Sequence, residues 1–324
     1  MVKLQTNVQI ITFKGKKLRI AIIDIGTNST RMLIADVESA EVKPLLKTGK
    51  VTRLGQGVKR SGYILKESME RTVEVLKEFK DLIDNYRVEK TVAVTTEAAR
   101  VAKNADRFLE EVGKLGIELK ILSDKEEAEL VYIANVHAFK PKVRAMTVDL
   151  GGGSTEIAYG EEENLIYYES LKFGVVVLLE SFIKSDPPSS DDIASLESFI
   201  KDKLLSFGKN VDVSYPFEVY GVGGTITSVV AMEEGMTVYD TKKVHGYNVT
   251  YELIIKWYEK VVSLTVEDRK RIVGLEAGRA DVIVPGLAFF KVFCEVFGVS
   301  NVTVSELGLL YGLALKEARE CQKG

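Results

Sequence analysis

The chain has 324 residues, 46% apolar and 28% charged, with a net charge of −3. That length favours two domains over one, and the balance is that of a globular protein rather than a disordered one. The mild negative charge argues against a nucleic-acid binder, and two cysteines (Cys294, Cys321) with two histidines (His137, His245) supply neither a disulfide framework nor a histidine-rich metal centre. No run of about 18 apolar residues marks a membrane span, and the N-terminus lacks the apolar core of a signal peptide. A reducing cytoplasm is the expected setting.

In chain order, VQIITF, KGKK and LRIAIID read as strand, turn and strand. LRIAIIDIG (18–26), RMLIADVES (31–39) and the stretch around Lys43 to Arg53 predict three successive strands. Leu65, Met69, Val73, Leu76, Phe79 and Ile83 recur at helical steps and predict an amphipathic helix over 64–86. KTVAVTTEAARVA (90–102) predicts a strand entering a helix, and FLEEVGKLGIELKIL a helix, a glycine stop and a strand. A capped helix follows over 123–139, ended by Pro141, and 143–160 predicts strand, turn, strand. SDPPSSDDIASLESF is a loop with a capped helix, FEVYGVGGTITSVVAM a strand, glycine turn and helix, and the tail a strand feeding a last helix. The class is α/β with crossover connections. The domain change is expected near 123–140, which divides the chain into 1–127 plus 304–324 and 128–303.

An internal repeat sharpens this picture. DIGTNSTRMLIA from Asp24 matches DLGGGSTEIAYG from Asp149: Gly26 corresponds to Gly151, and Ser29–Thr30 to Ser154–Thr155. Each copy follows an apolar strand and precedes another. Glycine lets backbone N–H groups approach an anion, and the hydroxyls add donors. Two such turns facing each other could grip a phosphate from both sides, with Gly151, Gly152 and Gly153 giving it clearance. The aspartates that end the two strands suit a hydrated divalent cation. A Walker loop would need a lysine and a following helix, and a dinucleotide fold would need GxGxxG; neither is present.

These pieces carry a resemblance. IDIGTNSTRMLI, VTRLGQG, TTEAARVAKNA, SDKEEAELVY, VDLGGGSTEI, SDPP, GVGGTITSV and VHG stand in the order found in the exopolyphosphatase/guanosine-pentaphosphate phosphohydrolase (Ppx/GppA) family, and span residues 18 to about 312. The resemblance implies two actin-like (ribonuclease H-like, duplicated) domains with an active site in the cleft between them. It also implies magnesium- or manganese-dependent hydrolysis of the terminal phosphate of inorganic polyphosphate, or of guanosine or adenosine polyphosphates such as (p)ppGpp. A homodimer is compatible with it; nucleic acid and membrane are not expected partners. An actin-like ATPase or phosphotransferase, or a non-catalytic alarmone sensor, is the alternative. One departure is GLLYG (308–312), where the family often has GLREG.

The resemblance implies that Glu127 positions the attacking water. Its neighbour Glu126 has another explanation, a capping box with Ser123. Asp149 and Asp24 are the metal candidates, and Glu156, on one strand face with Ser154, could orient the same water or the metal shell. Asp149, Glu156 and Glu127 make up the expected catalytic set. Phosphate contacts are expected from Gly26, Thr27, Asn28 and Ser29, from Gly151, Gly152, Gly153, Ser154 and Thr155, and from Arg31, Arg53 and Arg100, whose guanidinium groups can fork onto phosphate oxygens. Gly223, Gly224 and Thr225 form a third turn at a helix start, suited to a nucleoside or a more distant phosphate. Arg279 matches a further family segment, as a contact or a brace between domains. Trp257, Tyr132 and His137 read as packing residues.

Overall fold

The computed structural model describes residues 17–321, so the strand expected at VQIITF lies outside it. Two sheets organise the chain. Strands β1 (Leu18–Ile25), β2 (Ser29–Glu38), β3 (Glu41–Val51), β4 (Lys90–Thr95) and β5 (Leu119–Ile121) form the first, in the order β3-β2-β1-β4-β5. Strands β6 (Arg144–Leu150), β7 (Thr155–Glu161), β8 (Asn164–Leu171), β9 (Phe217–Val222), β10 (Asn248–Thr250) and β11 (Asn301–Ser305) form the second, in the order β10-β11-β9-β6-β7-β8. Each sheet begins with an antiparallel three-strand meander and continues through strands laid parallel to its first member. The repeat read in two short turns therefore extends over whole sheets, with β10 added at one edge.

The helices of the first half are α1 (Val58–Ser61), α2 (Lys66–Asn85), α3 (Glu97–Val101), α4 (Ala105–Gly113) and α5 (Asp124–Phe139). The second half has α6 (Val175–Phe182), α7 (Ser190–Gly208), α8 (Gly224–Glu233), α9 (Thr241–Val244), α10 (Tyr251–Val262), α11 (Val266–Arg269), α12 (Ile283–Phe297) and α13 (Leu309–Glu320). The apolar spacing of α2 buries Met69, Leu76 and Phe79 against the first sheet's outer face. In the second half, Phe289, Phe290 and Phe293 of α12 are fully buried, each contributing about 2–3 kcal/mol of transfer free energy. Trp257 and Tyr132 are core residues, as their helical positions suggest.

Two helices exchange sides. α5 follows the first sheet but packs on β6, β7 and β8; α13 follows the second sheet but packs on β1, β2 and β3. They meet in the middle at Gly312, where an added Cβ would stand 2.4 Å from the Leu130 carbonyl oxygen. Thr303, Val304 and Ser305 still pair with β9, so the return to the first sheet begins after Ser305. Leu310, in the departing GLLYG turn, is buried against the first sheet.

Candidate active site

Both glycine hairpins have one geometry. Asp24 lies opposite Arg31 across β1 and β2, and Asp149 opposite Glu156 across β6 and β7. The Gly26 N–H donates to the Ser29 carbonyl at 3.0 Å, and the Gly151 N–H to the Ser154 carbonyl at 3.1 Å. The two turns then meet face to face. A Cβ on Gly152 would lie 3.0 Å from the Asn28 amide nitrogen, and one on Gly153 would lie 2.6 Å from Thr27 Oγ1. None of these glycines has a left-handed backbone. Glycine is required because the opposing turn occupies the space, so the clearance expected for a phosphate also admits Thr27 and Asn28.

Supports behind the turns orient their amides. The Asn28 carbonyl accepts from Thr52 N at 3.0 Å and Arg53 N at 2.8 Å, and the Thr27 carbonyl from Gly55 N at 2.9 Å. On the other side, the Gly151 and Gly152 carbonyls each accept from the start of α6, from Val175 N and Val176 N, at 2.9 Å. In a trans peptide the carbonyl and the following N–H point in opposite directions. The N–H groups of Asn28, Ser29, Gly152 and Gly153 therefore point away from these supports, and all four residues line a cavity of about 80 Å³.

That cavity gathers most of the residues singled out from the sequence. From the first hairpin come Asp24, Gly26, Thr27, Asn28, Ser29 and Arg31; from the second, Asp149, Gly151, Gly152, Gly153, Ser154 and Glu156. Glu127, Gly224 and Thr225 complete the set, and Thr96 and Arg279 join them.

Glu126 and Glu127 are adjacent in the first turn of α5 and diverge, as neighbours at about 3.6 residues per turn must. Ser123 and Glu126 form the capping box: Ser123 N–H donates to Glu126 Oε2 at 3.0 Å, and Glu126 N–H to Ser123 Oγ at 3.3 Å. Lys120 adds a 2.6 Å contact, and with the cap it holds the Glu126 pKa down at about 2. One residue further along the first turn, Glu127 is buried and faces inward. Its carboxylate accepts from Arg100 Nη1 at 3.0 Å.

The cavity concentrates negative charge. Burial, set against Arg31 and reinforced by Asp149, pushes Asp24 up to about 6. Burial and Asp149 push Glu156 up to about 7, against hydrogen bonds from Ser154 and Ser170. Asp149 and Glu127 are raised too, both by burial first, and Glu127 next by Glu156. Such a set of hard oxygen donors with surplus charge fits a divalent cation. Among the described residues no three acidic, histidine or cysteine side chains close into a cage. The donor set therefore suits an ion that keeps several waters and takes one or two carboxylates.

The arginines divide. Arg31 faces the cavity, its Nε donating to Ser29 Oγ at 3.1 Å. Arg100 does not line it. Nη1 donates to the Leu122 carbonyl at 2.8 Å and to Glu127, while Nη2 contacts Asp124 at 2.7 Å and Glu97 at 3.3 Å. It is a support for Glu127 rather than a free fork. Arg53 is also turned away: with φ of 51° it donates to Asp281 Oδ2 at 2.9 Å and bridges the two halves. Thr155 Oγ1 donates to the Phe173 carbonyl at 2.7 Å and is fully buried, so it too is withdrawn from the cavity.

The third turn lies alongside. Gly223 has φ of 98°, and a Cβ there would meet the Leu150 carbonyl oxygen at 2.7 Å and Asp149 Oδ1 at 3.3 Å. It does not line the small cavity but an adjoining one of about 630 Å³. Space beside Gly224 is filled by the Arg279 guanidinium, which would lie 1.4 Å from an added Cβ. Arg279 lines both cavities, as does Arg31. Lys47, Tyr239 and Glu306, which no motif in the sequence marks, line the larger cavity, and His245 of the VHG segment accepts from Glu306 N–H at 3.3 Å.

The Ppx/GppA phosphatase family model matches residues 33–320. Over 315 residues the chain is 31% identical to exopolyphosphatase 2 of Mycobacterium tuberculosis, covering 93% of this chain and 98% of that one. It is 27% identical to the guanosine-5′-triphosphate,3′-diphosphate pyrophosphatase of Aliivibrio fischeri, covering 94% of this chain and 61% of that protein. The crystal structure of the Aquifex aeolicus Ppx/GppA family member superposes with a TM-score of 0.80 at 36% identity, over 94% of this chain and 99% of that one.

Proposed function

Because this chain belongs to the Ppx/GppA phosphatase family and has its two-sheet, actin-like architecture, we propose that it hydrolyses the terminal phosphate of inorganic polyphosphate, and of guanosine polyphosphates. The observation that carries this reading is the closure of two matched Asp-Gly hairpins, with Glu127, over one small cavity. Similarity to an exopolyphosphatase and to a guanosine polyphosphate pyrophosphatase supports both substrate classes.

The chemistry follows from the residues. Amides of Asn28, Ser29, Gly152 and Gly153 hold the terminal phosphoryl oxygens, and Arg31 and Arg279 hold the next phosphate at the mouth. Glu127, fixed by Arg100, orients a water in line with the terminal phosphorus and takes its proton. The new P–O bond forms as the bond to the bridging oxygen breaks, giving orthophosphate and a chain one phosphate shorter. Asp149 and Asp24, with Glu156 beside them, would hold magnesium or manganese through its waters. Such an ion, when bound, would supply charge neutralisation for the leaving phosphate.

Two free cysteines, Cys294 and Cys321, suit a reducing cytoplasm, and among the described residues no helix is long and apolar enough to cross a membrane. The test compares phosphate release from tripolyphosphate, long-chain polyphosphate, guanosine pentaphosphate and ATP, with magnesium and with chelator. Release from the first three that requires magnesium supports the reading. ATP-dependent labelling of an acceptor without free phosphate would favour a phosphotransferase instead.

A further inference from the structure

A phosphate chain in the catalytic cavity has a wide way out. The small cavity shares Arg31, Val222, Gly224, Arg279 and Gly308 with the larger one of about 630 Å³. On another side, past Thr27 and Gly153, it meets a space of about 20 Å³. Arg31 and Arg279 therefore stand at the throat between the catalytic carboxylates and the larger cavity.

Beyond the throat the character of the wall changes. Val222, Ala231, Met236, Val273 and Leu275 make it largely apolar; its charged side chains beyond the throat are Lys47, Glu306 and Glu276, the last paired with Arg279 at 3.0 Å. Glu306 is held firmly. Its carboxylate lies between the Lys47 ammonium of β3 and the Tyr239 hydroxyl, with the side chain 11% exposed. Its backbone N–H is pinned by His245, and the next amide, Leu307 N–H, by Ser305 Oγ at 3.0 Å. Burial alone would raise its pKa, but Lys47 and Tyr239 outweigh that and keep it below the ordinary value, so it is ionised at neutral pH. Lys47 is more exposed, at 38%, and also donates to the Glu306 backbone carbonyl at 3.3 Å.

We propose that Glu306 is a specificity-determining residue: its fixed charge weakens, without abolishing, the binding of a continuing phosphate chain relative to the uncharged base of a nucleoside polyphosphate in the larger cavity. The inference rests on the hydrolase reading above. A phosphate chain would set like charge against Glu306 and compete for its lysine. An uncharged heteroaromatic base instead finds apolar walls and an acceptor for its N–H donors, since each carboxylate oxygen can accept more than one hydrogen bond.

Binding separates this proposal from the reading it rests on. In a Glu127→Gln background, where substrate survives, long-chain polyphosphate and GTP, which carries no 3′-diphosphate beside its base, are titrated at fixed ionic strength, with and without Glu306→Gln. Glu306→Gln is expected to shift the ratio of the two dissociation constants about tenfold toward polyphosphate, the effect of one unit charge about 12 Å from a phosphate at an effective dielectric constant of about 20. Lys47→Met, which leaves Glu306 without its counter-charge, should move the ratio the other way. An unchanged ratio in both variants, equal tightening of both ligands by Glu306→Gln, or no binding of either ligand would overturn the proposal. Failure of the hydrolase reading shows separately, as no phosphate release by the chain with Glu127 intact.

Discussion

Arg31 and Glu156 occupy the same position in two copies of one hairpin, and they carry opposite charge. Each stands directly across the ladder from its own aspartate, Asp24 or Asp149. The two hairpins share one frame, and the difference at this position gives the paired turns a cationic side and an acidic side. The cationic side suits the phosphate, and the acidic side suits a metal and the attacking water.

Arg100 should act through Glu127. Its guanidinium is shared among Glu127, Asp124 and Glu97, and it does not line the cavity. Arg100→Gln is expected to lower kcat by about 10²-fold, within the range for a misplaced general base, with a smaller change in KM. Arg100→Lys should restore part of kcat. A rise in KM at constant kcat would instead mark Arg100 as a direct phosphate contact.

Gly153→Ala tests the packing of the turns. The new methyl would come within 2.6 Å of Thr27 Oγ1 and 3.0 Å of Glu97 Cγ. Forcing the hairpins apart should destabilise the fold by about 1–3 kcal/mol and lower turnover more than the folded fraction explains. Thermal unfolding and steady-state kinetics on the same sample separate the two effects.

Gly312→Val tests the exchange of helices. Its side chain would run into the Leu130 backbone, which cannot move without shifting α5 and the Glu127 at its start. Loss of about 1–3 kcal/mol is expected, measured by denaturant unfolding, with activity falling in the surviving folded protein. Wild-type stability in this variant would show that α5 and α13 do not cross closely.

Asp36 gives a pH signature far from the site. Its hydrogen bond from Arg19 Nε at 2.7 Å, with Lys17 nearby, holds its pKa at about 2, below the ordinary 3.8. A depressed carboxylate stabilises the fold above its unfolded pKa, and that stabilisation is lost as pH falls through the folded value. Asp36→Asn should therefore lower the melting temperature at pH 7, and the difference from wild type should vanish as pH approaches about 2. A constant difference across that range would contradict the assignment.

Local chemistry made much of this legible. Asp-x-Gly-x-x-Ser-Thr after an apolar strand is written within a few residues, and so is the capping box of Ser123 and Glu126. The partners that turn two of the arginines away from the cavity are mostly distant in sequence. Arg53 is held by Asp281, which lies far along the chain, and Arg100 by carboxylates on two helices, so spacing could not tell a free guanidinium from an engaged one. By sequence the glycines suit a ligand, but in the fold Gly152 and Gly153 first make room for Asn28 and Thr27 of the opposing turn. The larger cavity takes Lys47, Tyr239 and Glu306 from three separate segments, and only folding brings them together.

The most direct measurement is magnesium-dependent phosphate release from inorganic polyphosphate by the native chain and by Glu127→Gln, paired with substrate binding. The account expects release by the native chain, a drop of at least about 10²-fold in the variant, and retained binding. Full turnover in Glu127→Gln, or no release by the native chain, would contradict it.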